Sequence, residues 1–130
     1  MSARRTFREG GKFEDVAAYS RAVRVGSRIV VSGTAALGHD GSVLFPGDTL
    51  GQTQAALKRA LAAVEQLGGK PSDVILTRMY LISSADWIGA VEAHRMIFAD
   101  INPANTTLFV AGFIPDDVLV EVELEAVLTS

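Results

Sequence analysis

Leu119-Val120-Glu121-Val122-Glu123-Leu124-Glu125-Ala126 is the stretch that decides the fold; before it come Pro103-Ala104-Asn105-Thr106-Thr107-Leu108-Phe109-Val110-Ala111 and Pro115. Apolar and acidic residues alternate, so Val120, Val122 and Leu124 share one face of a strand while Glu121, Glu123 and Glu125 share the other. Strands are expected over Thr106 to Ala111 and Leu119 to Leu128. A sheet whose acids all project from one side needs apolar cover on the other.

Upstream, the cover is legible. Thr49 with Gln52 makes a capping-box pattern. Ala56, Leu57, Ala60, Leu61, Val64 and Leu67 then recur at helical spacing until Gly68-Gly69 stops the run. Val74 to Ile82 is rich in β-branched and aromatic residues and reads as a strand, linked through that helix by a crossover. A second helix is expected after a Ser83 or Ser84 cap, with Trp87, Val91, His94 and Phe98 on one stripe. Arg21 to Val25 and Arg28 to Ser32 form a hairpin across Gly26-Ser27, since glycine first in a two-residue loop suits a primed turn. His39 to Asp48 reads as a loop with room for a short edge strand around Val43. The order predicts an α+β fold, a mixed β-sheet with two helices packed on one face. The strands' apolar content predicts association, because large exposed apolar patches mark association surfaces.

Composition narrows the function. The 130 residues fit one domain, 1–130, and 48% hydrophobic with 21% charged residues is an ordinary globular balance. A net charge of -3 argues against a nucleic-acid partner. The basic cluster Arg4, Arg5 and Arg8 reads as a solvated edge strand or frayed end. Without cysteine there is no disulfide or thiolate nucleophile, which suits the cytoplasm. No apolar run approaches a membrane span and no leader is evident. The two histidines, His39 and His94, lack a ligand pattern, so neither metal nor cofactor is expected.

Several short motifs, in this order, resemble the RidA (YjgF) family. Tyr19-Ser20-Arg21-Ala22-Val23 is similar to that family's Pro-Tyr-Ser-Gln-Ala-Val, with Ala18 in place of the proline. Val31-Ser32-Gly33 is similar to its Val-Ser-Gly, and Val91-Glu92 stands where the family often has Val-Asn. Thr77-Arg78-Met79-Tyr80-Leu81 and Asp86-Trp87 also fit, and the C-terminal stretch resembles its Pro-Ala-Arg-Ser/Thr followed by Leu-Val-Glu-Ile-Glu-Ala. The resemblance implies a chorismate-mutase-like fold, a homotrimeric barrel and a small-molecule cleft between subunits. The implied chemistry is hydrolysis of imines or enamines.

Within that resemblance Glu121 is the candidate acid-base residue, although a solvated acidic face would give the same alternation. Backbone near Ser32 and Gly33 is a candidate for holding negative charge, the alternative being a glycine that serves a bulge. Tyr19 either lines the cleft or sits at an interface. Asn105 stands where the family's arginine grips a substrate carboxylate. Asparagine is neutral and half acceptor, so weak or absent 2-aminoacrylate deamination is expected unless Arg21, Arg24, Arg78 or Arg95 substitutes. Thr106 and Thr107 offer hydroxyls to a less charged ligand, and Glu92 adds an acid that repels carboxylates. The alternative is a non-catalytic trimer that binds a small ligand or a protein.

Overall fold

The computed structural model describes residues 3–129. Six strands form one mixed sheet: β1 (Arg4–Phe7), β2 (Ala22–Val25), β3 (Arg28–Thr34), β4 (Val74–Ile82), β5 (Ala104–Val110) and β6 (Val120–Val127). Three helices are interspersed: α1 (Lys12–Ala17), α2 (Thr49–Gln66) and α3 (Trp87–Phe98). The strand order is β1-β2-β3-β6-β4-β5, with β4 and β5 parallel and every other pair antiparallel. β6 thus slots between β3 and β4, and α2 makes the expected crossover.

The alternation read from the sequence sets the layers. Val120, Val122, Leu124 and Ala126 are buried beneath the helices, while Glu121, Glu123, Glu125 and Val127 turn to the opposite, outer face. Ile29 and Val31 of β3 and Thr77, Met79 and Leu81 of β4 join the buried face. Ala56, Leu57, Ala60 and Val64 of α2 are fully buried against it. Each such leucine or valine contributes about 1.5–3 kcal/mol by leaving water.

Several expectations needed correction. Asp48, not Thr49, caps α2, its carboxylate accepting the Gly51 N–H at 2.9 Å. Gln52 faces inward instead: its Oε1 accepts the Leu119 N–H at 2.9 Å and its Nε2 donates to the Phe45 carbonyl at 3.3 Å. Asp86, not Ser83 or Ser84, caps α3 through the Gly89 N–H. The apolar stripe of α3 is packed only towards its end, where Phe98 is buried and His94 half-buried. Trp87 and Val91 are 54% and 44% exposed, while the small residues Gly89, Ala90 and Ala93 allow close approach and are buried with Phe98. Around Val43 there is a single bridge to Leu37, and the extra edge strand is β1, which carries Arg4 and Arg5.

α1 was not expected, since it is one short turn-rich segment without apolar periodicity. The buried Glu14 accounts for it, accepting the backbone N–H groups of Glu9, Gly10 and Gly11 at 2.7–3.0 Å. Gly26 has φ of +60°, as a glycine-first primed turn requires.

Candidate functional site

The three glutamates of β6 are alike in sequence and different in surroundings. Glu125 is ion-paired to Arg28 at 2.5 Å and to Arg78 at 3.1 Å, which holds its carboxyl below the usual range. Glu123 accepts the Tyr80 hydroxyl and lies 3.9 Å from Arg78. That hydrogen bond, with burial and the Glu123 charge, raises the Tyr80 pKa. Glu121 has no ion pair or hydrogen bond among the described residues, and it is half-buried. Burial raises its pKa; the nearby Glu123 charge adds to this, while Arg21 and Arg59 oppose it.

Glu121 lies over Gly33. A Cβ at position 33 would fall well inside van der Waals contact of Glu121 Oε1, so only glycine leaves room for that carboxylate. The β3–β6 register shifts between Val31 and Thr34, so the bulge reading of Gly33 also holds. Ser32 is occupied. Its N–H donates to the Arg21 carbonyl at 2.9 Å and its hydroxyl to the Ser20 carbonyl at 2.7 Å. The Ser32 N–H is therefore not free to hold a ligand's charge.

Arg21 is the neighbour the sequence reading undervalued. Only 5% exposed, it donates from Nη1 to the Gly33 carbonyl at 2.5 Å and to Thr34 Oγ1 at 3.2 Å. Its Nη2 reaches Tyr19 Oη at 3.4 Å, and the guanidinium lies 5.7 Å from the Tyr19 ring. Its Nε, 3.4 Å from Glu9 Oε1, is buried without a hydrogen bond. Glu9 is forked by Arg59, whose hydrogen bonds and charge, with Arg21, hold the Glu9 pKa low against burial. Tyr19 borders an open hollow of about 330 Å³ with Arg8, Glu14, Asp15, Ala18 and Ser20. Tyr19, Ser32, Gly33, Arg21 and Glu121 thus form one wall.

Asn105 belongs to a different wall. It pairs with Thr77 in the β4–β5 register, and alternation places it with Thr107 on the helix side of the sheet. Thr106 turns to the outer face with its partner Arg78, so Thr106 and Thr107 do not serve one site. The Asn105 amide is engaged at both ends, with capacity left on each: Nδ2 donates to Thr77 Oγ1 at 3.0 Å, Oδ1 accepts the Thr107 hydroxyl at 2.8 Å, and the residue is exposed. Thr77 is fully buried, and its oxygen lies 2.8 Å from His94 Nε2. Asn105 Nδ2 donates to the Thr77 hydroxyl, which can in turn give its proton to His94 Nε2 or accept one from it, so either tautomer of a neutral imidazole completes the contact. Burial lowers the His94 pKa, which favours that neutral ring.

His94 packs on Phe98 at 4.7 Å between ring centroids. With Val91, Arg95, Phe98, Asn102 and Pro103 it borders a second hollow of about 250 Å³. Glu92 forks Arg95 at 3.0 and 2.6 Å on the exposed side of α3. Of the arginines weighed as substitutes for position 105, Arg24 donates to the Gly26 and Leu67 carbonyls, and Arg78 serves the outer face. No group of three or more metal-ligating side chains is present among the described residues, and no helix is long and apolar enough to cross a membrane.

The missed participants are Thr77, Glu9 and Arg59. Nothing in the local sequence marks Thr77, whose role arises from strand pairing. Glu9 and Arg59 meet across 50 positions.

The fold recurs in known proteins. Residues 11–128 match the family described as Endoribonuclease L-PSP. An uncharacterized protein of Streptomyces coelicolor is 38% identical over 123 residues, covering 94% of this chain and 90% of that one. A 2-iminobutanoate/2-iminopropanoate deaminase of Dermatophagoides farinae is 27% identical over 110 residues, covering 85% of each chain. The crystal structure of a Mycobacterium tuberculosis member of the YjgF/YER057c/UK114 family superposes with a TM-score of 0.87 at 34% identity, covering 97% of this chain and 100% of that one. A match running from α1 to the end of β6 leaves one conclusion: this chain belongs to the endoribonuclease L-PSP family, the YjgF/YER057c/UK114 group.

Proposed function

We propose that this protein hydrolyses small imines or enamines in a cleft completed by a second protomer, with Glu121 as the acid-base group. The observation that carries the reading is the isolation of Glu121. Of three glutamates on one strand face, it alone lacks an arginine partner, and burial raises its pKa. A carboxyl of that kind can give a proton to the imine nitrogen and take one from the attacking water. Water adds to the carbon of the C=N bond, the carbon–nitrogen bond then breaks, and ammonia leaves as the carbonyl forms. The relative named as an imine deaminase supports the same chemistry.

In one protomer Glu121 lies on the outer face of a central strand, whereas Asn105 lies on the helix side of an edge strand. A small substrate touching both walls needs a second copy, which supports the trimer implied by the resemblance. The exposed Val25, Val30 and Leu108 on the outer face supply apolar contact area for it. Light scattering at micromolar concentration is expected to give three times the 13.8 kDa chain mass. A stable monomer would remove the shared cleft.

A non-catalytic ligand-binding trimer is the second reading, supported by the neutral Asn105, whose amide bonds to Thr77 and Thr107. Ammonia release from freshly generated 2-iminobutanoate and from its uncharged amide separates the two: a rate above buffer with either supports hydrolysis, and the buffer rate with both supports binding alone. The endoribonuclease description draws little support from the surface. Arg28, Arg59, Arg78 and Arg95 are each paired to carboxylates, and the chain carries a net charge of -3. Salt-dependent RNA binding is not expected.

A further inference from the structure

We infer that Arg21 is a positioning residue for the reaction: through the Gly33 carbonyl and the Tyr19 hydroxyl it holds the wall on which the Glu121 carboxylate lies, without itself meeting the ligand. The inference rests on the hydrolytic reading above and adds a residue to it.

The need for such a clamp begins in the backbone. β3 and β6 pair up to Val31 and again at Thr34, so Ser32 and Gly33 fall outside the register. A bulge of this kind leaves main-chain groups without a ladder partner, and glycine adds conformational freedom where the Glu121 carboxylate needs a fixed floor. Arg21 takes the place of the ladder. Its Nη1 donates to the Gly33 carbonyl at 2.5 Å and to Thr34 Oγ1 at 3.2 Å, the two residues at the step in the register. Its Nη2 meets the Tyr19 hydroxyl at 3.4 Å, so one planar group ties the end of β3 to the residue that borders the open hollow.

The burial of Arg21 shows what the guanidinium is aligned for. Taking a cation out of water is unfavourable unless its partners match its geometry. Arg21 is 5% exposed, yet its ion-pair partner Glu9 stands 3.4 Å from an Nε that forms no hydrogen bond. Glu9 gives its shorter contacts to Arg59, at 2.6–3.2 Å. The Arg21 fork is aligned on Gly33 and Thr34, not on its counter-ion.

Its charge acts in the same place. Glu121 has Glu123 on its own strand, Tyr80 opposite on β4, Arg21 ahead of β2 and Arg59 on α2, with Glu9 beside the two arginines and His39 near Glu9. Glu123 is engaged by Tyr80 and Arg78. Arg21 and Arg59 are therefore the cations that oppose the effect of burial on Glu121, and Glu9 is the anion that tempers them.

The test follows the Glu121 carboxyl carbon by NMR against pH in the full chain, its signal identified by its loss in Glu121→Gln. Ammonia-release kinetics with 2-iminobutanoate and its uncharged amide run beside it. Arg21→Gln removes the cation and should move the Glu121 titration to higher pH; Glu9→Gln removes the anion and should move it to lower pH. Arg21→Lys keeps the charge, but a single ammonium cannot reproduce the planar fork that joins Gly33, Thr34 and Tyr19. Its titration should stay near that of the wild type while kcat falls roughly 10–100-fold. The inflection of the pH–rate profile should follow the titration in each variant.

A Glu121 titration unmoved by Arg21→Gln, or moved the same way by Arg21→Gln and Glu9→Gln, overturns the inference, because loosened packing does not reverse sign with the charge removed. An Arg21→Lys protein with wild-type kcat overturns it too. Should Arg21→Gln not fold, an unmoved titration in Glu9→Gln or an unimpaired Arg21→Lys decides against it. These outcomes in an active wild type remove the inference alone, whereas wild-type ammonia release at the buffer rate with both imines removes the hydrolytic reading and the inference together.

Discussion

The Glu121 wall and the Asn105 wall are built from the same sheet and are opposite in electrostatic character. Around Glu121, charges are buried and incompletely matched: Arg21 has an unbonded Nε, and the carboxylate itself has no donor among the described residues. Around Asn105, neutral side chains from Thr107 to Thr77 are linked by hydrogen bonds, and the Nε and Nη2 of the nearby Arg95 guanidinium meet Glu92. Unmatched buried charge is held ready to react. A hydrogen-bonded neutral network is rigid and selects by shape and by single hydrogen bonds. On the proposed reading the first wall carries the chemistry and the second shapes the ligand's surroundings.

The largest expected effect tests the first half of that division. Glu121→Gln should lower imine hydrolysis by about 10²–10⁴-fold in an ammonia-release assay while the oligomer persists. A rate close to wild type would move the chemistry off this wall. Gly33→Ala comes next, because the new methyl group collides with Glu121 Oε1. Displacing the carboxylate, the free end of a flexible side chain, should cost activity with little change in stability by urea unfolding. An unaltered enzyme would mean that the Glu121 position is not critical.

Thr77→Val tests the second wall. Valine matches the shape but leaves His94 Nε2 and Asn105 Nδ2 without their shared oxygen, at a cost of about 1–3 kcal/mol. Equal stability would show the network to be dispensable. The smallest effect is in pH. Glu121 has its folded pKa raised above the ordinary 4.5, so its stabilisation is fully present below that value and is lost as pH rises through the folded pKa. Glu121→Gln should therefore gain on wild type as pH climbs from 4 toward neutrality. A difference between the two proteins that is flat with pH would contradict the raised pKa.

How much of this the sequence disclosed depends on the range of the interaction. The β6 alternation, the α2 stripe and the Gly26 turn are properties of neighbouring residues and were legible. The α3 stripe misled, because Ala90 and Ala93 pack closely whereas the larger Trp87 and Val91 remain exposed. The resemblance singled out Glu121, but its lack of an arginine partner shows only once β3 and β4 deliver Arg28 and Arg78 to Glu125 and Glu123. Asn105 could be noticed as a departure, but its hydrogen bond to Thr77 depends on a strand 28 positions away. Long-range pairing decides such roles, and periodicity does not encode it.

The strand order described above has a consequence for how such a protein changes over generations. Glu121 is on β6, laddered on both sides by β3 and β4, whereas Asn105 is on β5, at the border of the sheet with a single ladder to β4. A substitution on β6 has to satisfy two neighbouring strands at once, so on the proposed reading the acid-base position is the more constrained of the two. A substitution on β5 answers to one. Ligand preference can therefore wander by single replacements on the rim while the reaction machinery stays in place, and the sheet separates what is inherited from what is explored.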